Sequence, residues 1–174
     1  MGHFLLTNLL LRTHPITRVV NVTSQGHYFG PWSPPTPATY NPWKAYGNSK
    51  SANILFSLAL AARGVEAVAP HPGTPTTNLM DHITDPNLFG VYGLLEEMKA
   101  DGHEFARDGD EKTVDQAGAT LVDAAFGGWG KGEFTRNMET REDARAEWAK
   151  DPEVAERLWR ESEELVGERF EIGN

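Results

Sequence analysis

The stretch Arg18-Val19-Val20-Asn21-Val22-Thr23-Ser24 decides the fold class. Up to Thr23 it is β-branched and apolar on both faces, the pattern of a strand inside a parallel sheet, and Ser24 follows it directly. A second apolar run, Val65 to Ala69, leads into Pro70-His71-Pro72-Gly73 and reads as another strand entering a rigid turn that includes His71. Between them, Tyr46 to Arg63 has neither Gly nor Pro after Gly47, repeats apolar residues at Ile54, Leu55, Leu58, Ala61 and Ala62, and stops at Gly64, so it reads as a helix. This alternation predicts an α/β fold built on a doubly wound parallel sheet, in one domain over residues 1–174.

Further from that unit the pattern continues. Phe4, Leu5, Leu9 and Leu11 predict a helix over residues 3–12, and the five prolines between residues 26 and 43 predict a loop. Residues 79–111 read as an excursion with a helical piece at 88–99. Thr113 to Phe126 predicts a helix with Val114, Ala117, Leu121, Val122 and Ala125 on one side, ended by Gly127, Gly128 and Gly130. Asp151 and Pro152 are an N-cap and first-turn signal for a last helix to Val166, with Val154, Leu158, Trp159 and Leu165 inward.

Composition narrows the function. The 174 residues carry 16 Lys and Arg against 25 Asp and Glu, a net charge of -9, which repels a polyanion and argues against a nucleic-acid partner. There is no cysteine, hence no disulfide, thiol nucleophile or Cys-based zinc site, in keeping with a reducing, cytoplasmic setting. Phe4 to Leu11 is too short for a membrane span and lacks the flanks of a signal peptide. The six histidines show no metal-ligand spacing, so no metal site is expected. Asp108-Gly109-Asp110-Glu111 lacks the ligand pattern of a calcium loop and reads as a turn; Arg141 to Glu147 and Glu161 to Glu164 read as solvated helix faces.

The chemistry-bearing residues gather around the strand ends. Tyr46 and Lys50 share one face of a helix start, where an ammonium favours the phenolate and suits the phenol to proton transfer. Alone, the spacing fits a solvated helix start equally well. Ser24 and Pro72-Gly73, however, both follow strands at their carboxyl ends, where open α/β sheets place ligands.

Ordered along the chain, Gly2 to Leu10, Arg18 to Ser24, Tyr46-Gly47-Asn48-Ser49-Lys50-Ser51-Ala52-Asn53-Ile54-Leu55 and His71 to Thr77 resemble the carboxyl-terminal half of a short-chain dehydrogenase/reductase, most of all retinol-dehydrogenase-like and fungal members. The resemblance implies that Tyr46 is the general acid/base, that Lys50 tunes it and bonds the nicotinamide ribose, and that Ser24 holds the substrate oxygen. It further implies that the backbone at Pro72 and Gly73, with the Thr77 hydroxyl, cradles the nicotinamide of NAD or NADP. Pro75 stands where relatives commonly donate a backbone N–H, and has none to give.

The family's opening strand, glycine-rich turn and helix have no counterpart: no G-x-x-x-G-x-G follows any strand, and the alignment starts the chain inside a helix. The expectation is therefore a partial, Rossmann-type sheet without its amino-terminal dinucleotide-binding strands, with Arg18 to Thr23 at an edge. Two functions fit. One is an NAD(P)-dependent oxidoreductase for a lipophilic alcohol or carbonyl, impaired or inactive at this length, with Trp32 and Trp43 beside the substrate. The other is a non-catalytic relative that self-associates through the helices at Gly2 to Arg12 and Tyr46 to Arg63.

Overall fold

Hydrogen bonds from Val19, Asn21 and Thr23 N–H to the carbonyls of Glu66, Val68 and Pro70 zip the first strand onto the second, each 2.8–2.9 Å long. The computed structural model describes residues 1–33, 36, 40–78, 93, 96, 99–100 and 111–172. Over these, the order is α1 (Gly2–Thr13), β1 (Val19–Val20), a 3-10 turn (Gln25–Phe29), α2 (Pro42–Ala62), β2 (Ala67–His71), β3 (Thr74–Pro75), β4 (Glu111–Lys112), α3 (Val114–Phe126), β5 (Glu133–Arg136), β6 (Glu139–Thr140) and α4 (Pro152–Val166). The main sheet runs β1-β2-β5-β6, parallel except for the final hairpin, and β3 pairs with β4 in a small parallel ribbon. The α/β reading and the partial Rossmann-type sheet stand, with β1 at one edge.

Burial explains the strand signatures. All five residues of β2 are buried, because α2 covers one face and α3 the other, so no polar alternation is needed. The run at 18–23 differs from its apolar reading: the strand proper is Val19–Val20, half-buried, and beyond it Asn21 and Thr23 are buried, their side chains donating to Ser57 Oγ (2.9 Å) and the Lys50 carbonyl (2.9 Å) on α2. A strand flanked by polar groups is here tied to a helix through them rather than packed by apolar contact alone.

Helices α1, α2 and α4 close the main core. Phe4, Phe56, Trp159 and Phe170 form an aromatic cluster with Leu55, Leu60 and Leu158 around it. Asp151 caps α4 by accepting from Glu153 and Val154 N–H, with Pro152 at the first position. Thr113 caps α3 in a reciprocal capping box with Gln116.

Several boundaries and faces depart from the sequence reading. Helix α2 begins at Pro42, because Asn41 caps it by accepting from Trp43 and Lys44 N–H and proline is tolerated in a first turn. β2 is displaced to Ala67–His71, so His71 is a buried strand residue opposite Arg136 and not part of the turn. The proline-rich loop contains the 3-10 turn, whose cap is Ser24. On α3 the buried stripe is Ala117, Thr120 and Ala124, which leaves Val114 and Val122 on the outer ridge, about 60% exposed. Leu165 keeps phase with Leu158 but lies at the rim of a cleft between α1, α2 and α4, and is 63% exposed.

Residues 141–149 are not a helix face: they form 3-10 turns at Glu142–Ala144 and Glu147–Ala149 around a buried Arg145. Glu161 accepts from Trp32 Nε1, and Glu163 from both Trp159 Nε1 and Phe170 N–H, so these two acids are structural acceptors. Glu111 lies in β4; Asp108 to Asp110 and nearly all of 88–99 lie outside the described residues.

One surface pair gives a direct test. Arg141 donates to both carboxylate oxygens of Asp143 (2.8 and 2.7 Å), and this holds the Asp143 carboxyl down at about 2. A depressed folded pKa means that the stabilisation is present above the ordinary aspartate value and is lost as pH falls through about 2. Carbon NMR should show Asp143 titrating near that value, and Arg141→Ala should raise it toward the ordinary range, with the backbone N–H groups of Asp143 and Ala144 still holding it somewhat down.

Candidate functional site

The site forms where β1 and β2 end. In a parallel ladder alternate residues bond to one neighbour, so Val20 and Val22 aim their backbone groups away from β2. The Val22 carbonyl is taken up from α2: Asn53 Nδ2 donates to it at 2.9 Å and Lys50 Nζ at 3.3 Å. Together with the Thr23 to Lys50 bond, this fixes the third turn of α2 at the carboxyl end of β1. The Lys50 ammonium is half-buried there, and burial pushes its pKa down.

Ser24 comes next along the chain. The ladder that pairs Val19 with Ala67 and Val20 with Val68 continues through Thr23 N–H to the Pro70 carbonyl, which brings Ser24 level with Pro72. Its backbone is extended (φ -156, ψ 157), and its Oγ accepts from Gly26 N–H at 3.1 Å. The 3-10 turn then folds back against α2 through two glycines. A Cβ on Gly26 would collide with the Tyr46 ring, and one on Gly47 would come within 2.6 Å of Phe29 Cβ and 2.7 Å of the Gly26 carbonyl oxygen. Ser51 Oγ closes the joint by bonding the His27 and Gly30 carbonyls at 3.1 and 2.9 Å.

Tyr46 therefore stands one turn ahead of Lys50, against the turn that Ser24 caps. The Lys50 Nζ is 5.7 Å from its ring centroid, and the Trp43 ring meets it edge-on at 6.5 Å. Tyr46 is 39% exposed, open to a reacting molecule. Past β2, Gly73 takes a left-handed φ of 83, the conformation glycine accommodates without strain, and turns the chain across the same edge into β3. Pro75 sits in β3 opposite Lys112, and Thr77 is exposed beyond it.

Ser24, Tyr46, Lys50, Pro72 and Gly73 thus line one edge of the sheet, with Pro75 and Thr77 on the ribbon that leaves it. Of the two tryptophans expected at a substrate pocket, Trp43 is beside Tyr46. Trp32 is instead buried in the main core, hydrogen-bonded to Glu161, and lines the cleft of about 610 Å³ between α1, α2 and α4 that Lys50 also borders. The sequence reading passed over Asn53, which shares the Val22 carbonyl with Lys50, and His27, whose ring bonds the Ser24 carbonyl three residues back and the Ala146 N–H far along the chain.

The donor set fits the nicotinamide end of a dinucleotide in kind: an ammonium set over a phenol ring, and a hydroxyl capping the turn that packs on that ring, near a glycine turn. Among the described residues no strand runs through a glycine-rich turn into a helix to hold a pyrophosphate. Nor does any cluster of three or more His, Cys, Asp or Glu there have the means to hold a metal ion. No helix of the described residues is long and apolar enough to cross a membrane.

No family model matches the chain. Curated proteins do. A probable oxidoreductase of Streptomyces lividans is 34% identical over 183 residues, covering 91% of this chain and 59% of the relative. Human retinol dehydrogenase 12 is 34% identical over 181 residues, covering 98% of this chain and 53% of the relative. Short-chain dehydrogenase/reductase prx1 of Penicillium rubens is 30% identical over 185 residues, covering 91% and 52%. The chain spans between about half and three fifths of the length of these relatives.

Proposed function

We propose that this chain, a relative of the short-chain dehydrogenases/reductases, carries the proton-handling half of an NAD(P)-dependent oxidoreductase for a lipophilic alcohol or carbonyl. The observation that supports the reading is that Lys50, tied to the carboxyl end of β1, stands over the Tyr46 ring, on which the turn capped by Ser24 also packs. A bound nicotinamide supplies hydride chemistry. The chain's own residues orient the substrate and move a proton. Ser24 Oγ holds the substrate oxygen. The Tyr46 hydroxyl gives that oxygen a proton and becomes phenolate when the carbonyl carbon is reduced. In the opposite direction the Tyr46 phenolate takes the proton from the alcohol oxygen and becomes the hydroxyl again.

Lys50 keeps a cation against the phenol and would hold the ribose hydroxyls of a bound dinucleotide. Its desolvated ammonium, held by the Val22 carbonyl, is suited to both tasks. The backbone at Pro72 and Gly73, followed by Pro75 and the Thr77 hydroxyl, would hold the nicotinamide. Trp43, edge-on to Tyr46, supplies an apolar wall for the substrate. The single domain is the catalytic half, in a cytoplasmic setting with which the lack of cysteine is in keeping. Without a glycine-rich turn for the pyrophosphate, turnover by these 174 residues alone is impaired or absent.

A second reading, an association module, is favoured by one observation: Leu6, Leu9 and Leu10 of α1 are 58%, 41% and 38% exposed. Titrating the purified 174-residue chain with NADH and NADPH while following its oligomeric state separates the two. Saturable binding supports the oxidoreductase reading. No binding alongside tight self-association supports the other, and brisk NAD(P)H turnover would overturn the impairment.

A further inference from the structure

Resting on the oxidoreductase reading, we propose that His27 is the positioning residue for the Ser24 hydroxyl, acting as a neutral imidazole with its proton fixed on Nδ1. His27 is fully buried, and both ring nitrogens are engaged with backbone. Nδ1 lies 2.7 Å from the Ser24 carbonyl oxygen, an acceptor, so Nδ1 carries the proton. Nε2 lies 3.1 Å from the Ala146 nitrogen, whose N–H donates, so Nε2 presents a lone pair. These two partners leave one neutral tautomer, and an imidazolium would set a second N–H against that of Ala146.

The consequence falls on Ser24. Its carbonyl receives two donors, the His27 ring and the His27 backbone N–H at 3.1 Å, which together fix the peptide plane leaving Ser24. With that plane fixed, Gly26 N–H is held where it donates to Ser24 Oγ, and the hydroxyl's direction follows. His27 is itself clamped: its carbonyl accepts from Ser51, and its ring lies 4.3 Å from Tyr28 and 5.4 Å from Phe134, centroid to centroid. The far anchor is firm as well, since buried Arg145, next to Ala146, donates to the Ala149 and Gly132 carbonyls. The seat of the substrate oxygen is thus tied across the sheet to the segment after β6, through one imidazole.

Two isosteres divide the ring's functions. Asparagine places an amide N–H near the Nδ1 position, and glutamine reaches the Nε2 position. Hydrogen exchange of the Gly26 amide in the full chain, read by NMR, should be little changed in His27→Asn and on the order of tenfold faster in His27→Gln, the factor for about one hydrogen bond. A residue that only fills the core would make the two variants alike, and equal exchange overturns the proposal. Wild-type chain gives an independent check that needs no variant to fold. Its His27 ring nitrogens should report Nδ1 protonated and Nε2 bare at neutral pH, and the opposite tautomer refutes the assignment. Neither readout depends on dinucleotide binding or turnover, so failure here and failure of the oxidoreductase reading are separable.

Discussion

Trp159→Ala should cost the chain about 3–5 kcal/mol, near the upper end of what removing a buried tryptophan does. Trp159 is 1% exposed and is the joint of the three-helix core. Phe4 of α1 meets its ring edge-on at 4.9 Å, Phe56 of α2 lies 5.9 Å away, and the Arg63 guanidinium stands 3.8 Å above it. Its Nε1 also donates to Glu163, which in turn holds the Phe170 N–H, so the loss reaches past the cavity itself. In a chain of this size each kcal/mol moves the melting midpoint by roughly 2–4 °C, so the variant should melt on the order of ten degrees lower. Phe126→Ala is the control: that ring is 87% exposed, and its removal should change stability by less than about 0.5 kcal/mol. A loss below about 1 kcal/mol at Trp159 would show that α4 does not hold α1 and α2 together.

Gly47→Ala sets two effects of opposite sign against each other, and the structure decides between them. Inside a helix, alanine is favoured over glycine by about 1 kcal/mol. At Gly47, however, the new methyl meets Phe29 Cβ at 2.6 Å and the Gly26 carbonyl oxygen at 2.7 Å. Neither can swing away as a flexible side-chain tip would, so the whole 3-10 turn must back off, at an overpacking cost of roughly 1–3 kcal/mol. We expect a net loss of stability, with Ser24 drawn away from Tyr46 and dinucleotide binding weakened. Gly118→Ala on α3 should do the reverse and gain up to about 1 kcal/mol, because a Cβ there meets nothing within 4 Å. Equal gains at both positions, measured by denaturant unfolding, would mean that the turn is not docked on α2 as described.

The sequence carried the elements whose signals are local. The Asp151-Pro152 cap and the helix ending at Phe126 stand in the structure, and the β-branched run at 18–23 holds a strand, assigned at Val19–Val20, with Ser24 directly after the run. Most of what it hid depends on partners far along the chain, the start of α2 being a local exception. The start of α2 turned on Asn41 accepting two backbone N–H groups past a proline that reads as loop. The outward turn of Val114 and Val122 follows from which ridge of α3 meets the sheet, and periodicity in an alanine-rich helix fits more than one phase. Buried polar residues were the hardest to read. Asn21, His27 and Arg145 look like surface residues in a sequence, yet each has its hydrogen bonds inside the protein. For the site, the spacing of Tyr46 and Lys50 was legible, whereas the glycine-to-ring packing that brings Ser24 to them was not.

The most direct measurement is an amide NMR titration of the isotope-labelled 174-residue chain with NADH, which registers even weak binding residue by residue. The account predicts shifts confined to one connected patch: Ser24 to Gly26, Tyr46 to Lys50, and Gly73 to Thr77, with the α4 helix unmoved. Shifts that leave Ser24 and Tyr46 untouched, or no shifts at any NADH concentration, would contradict it.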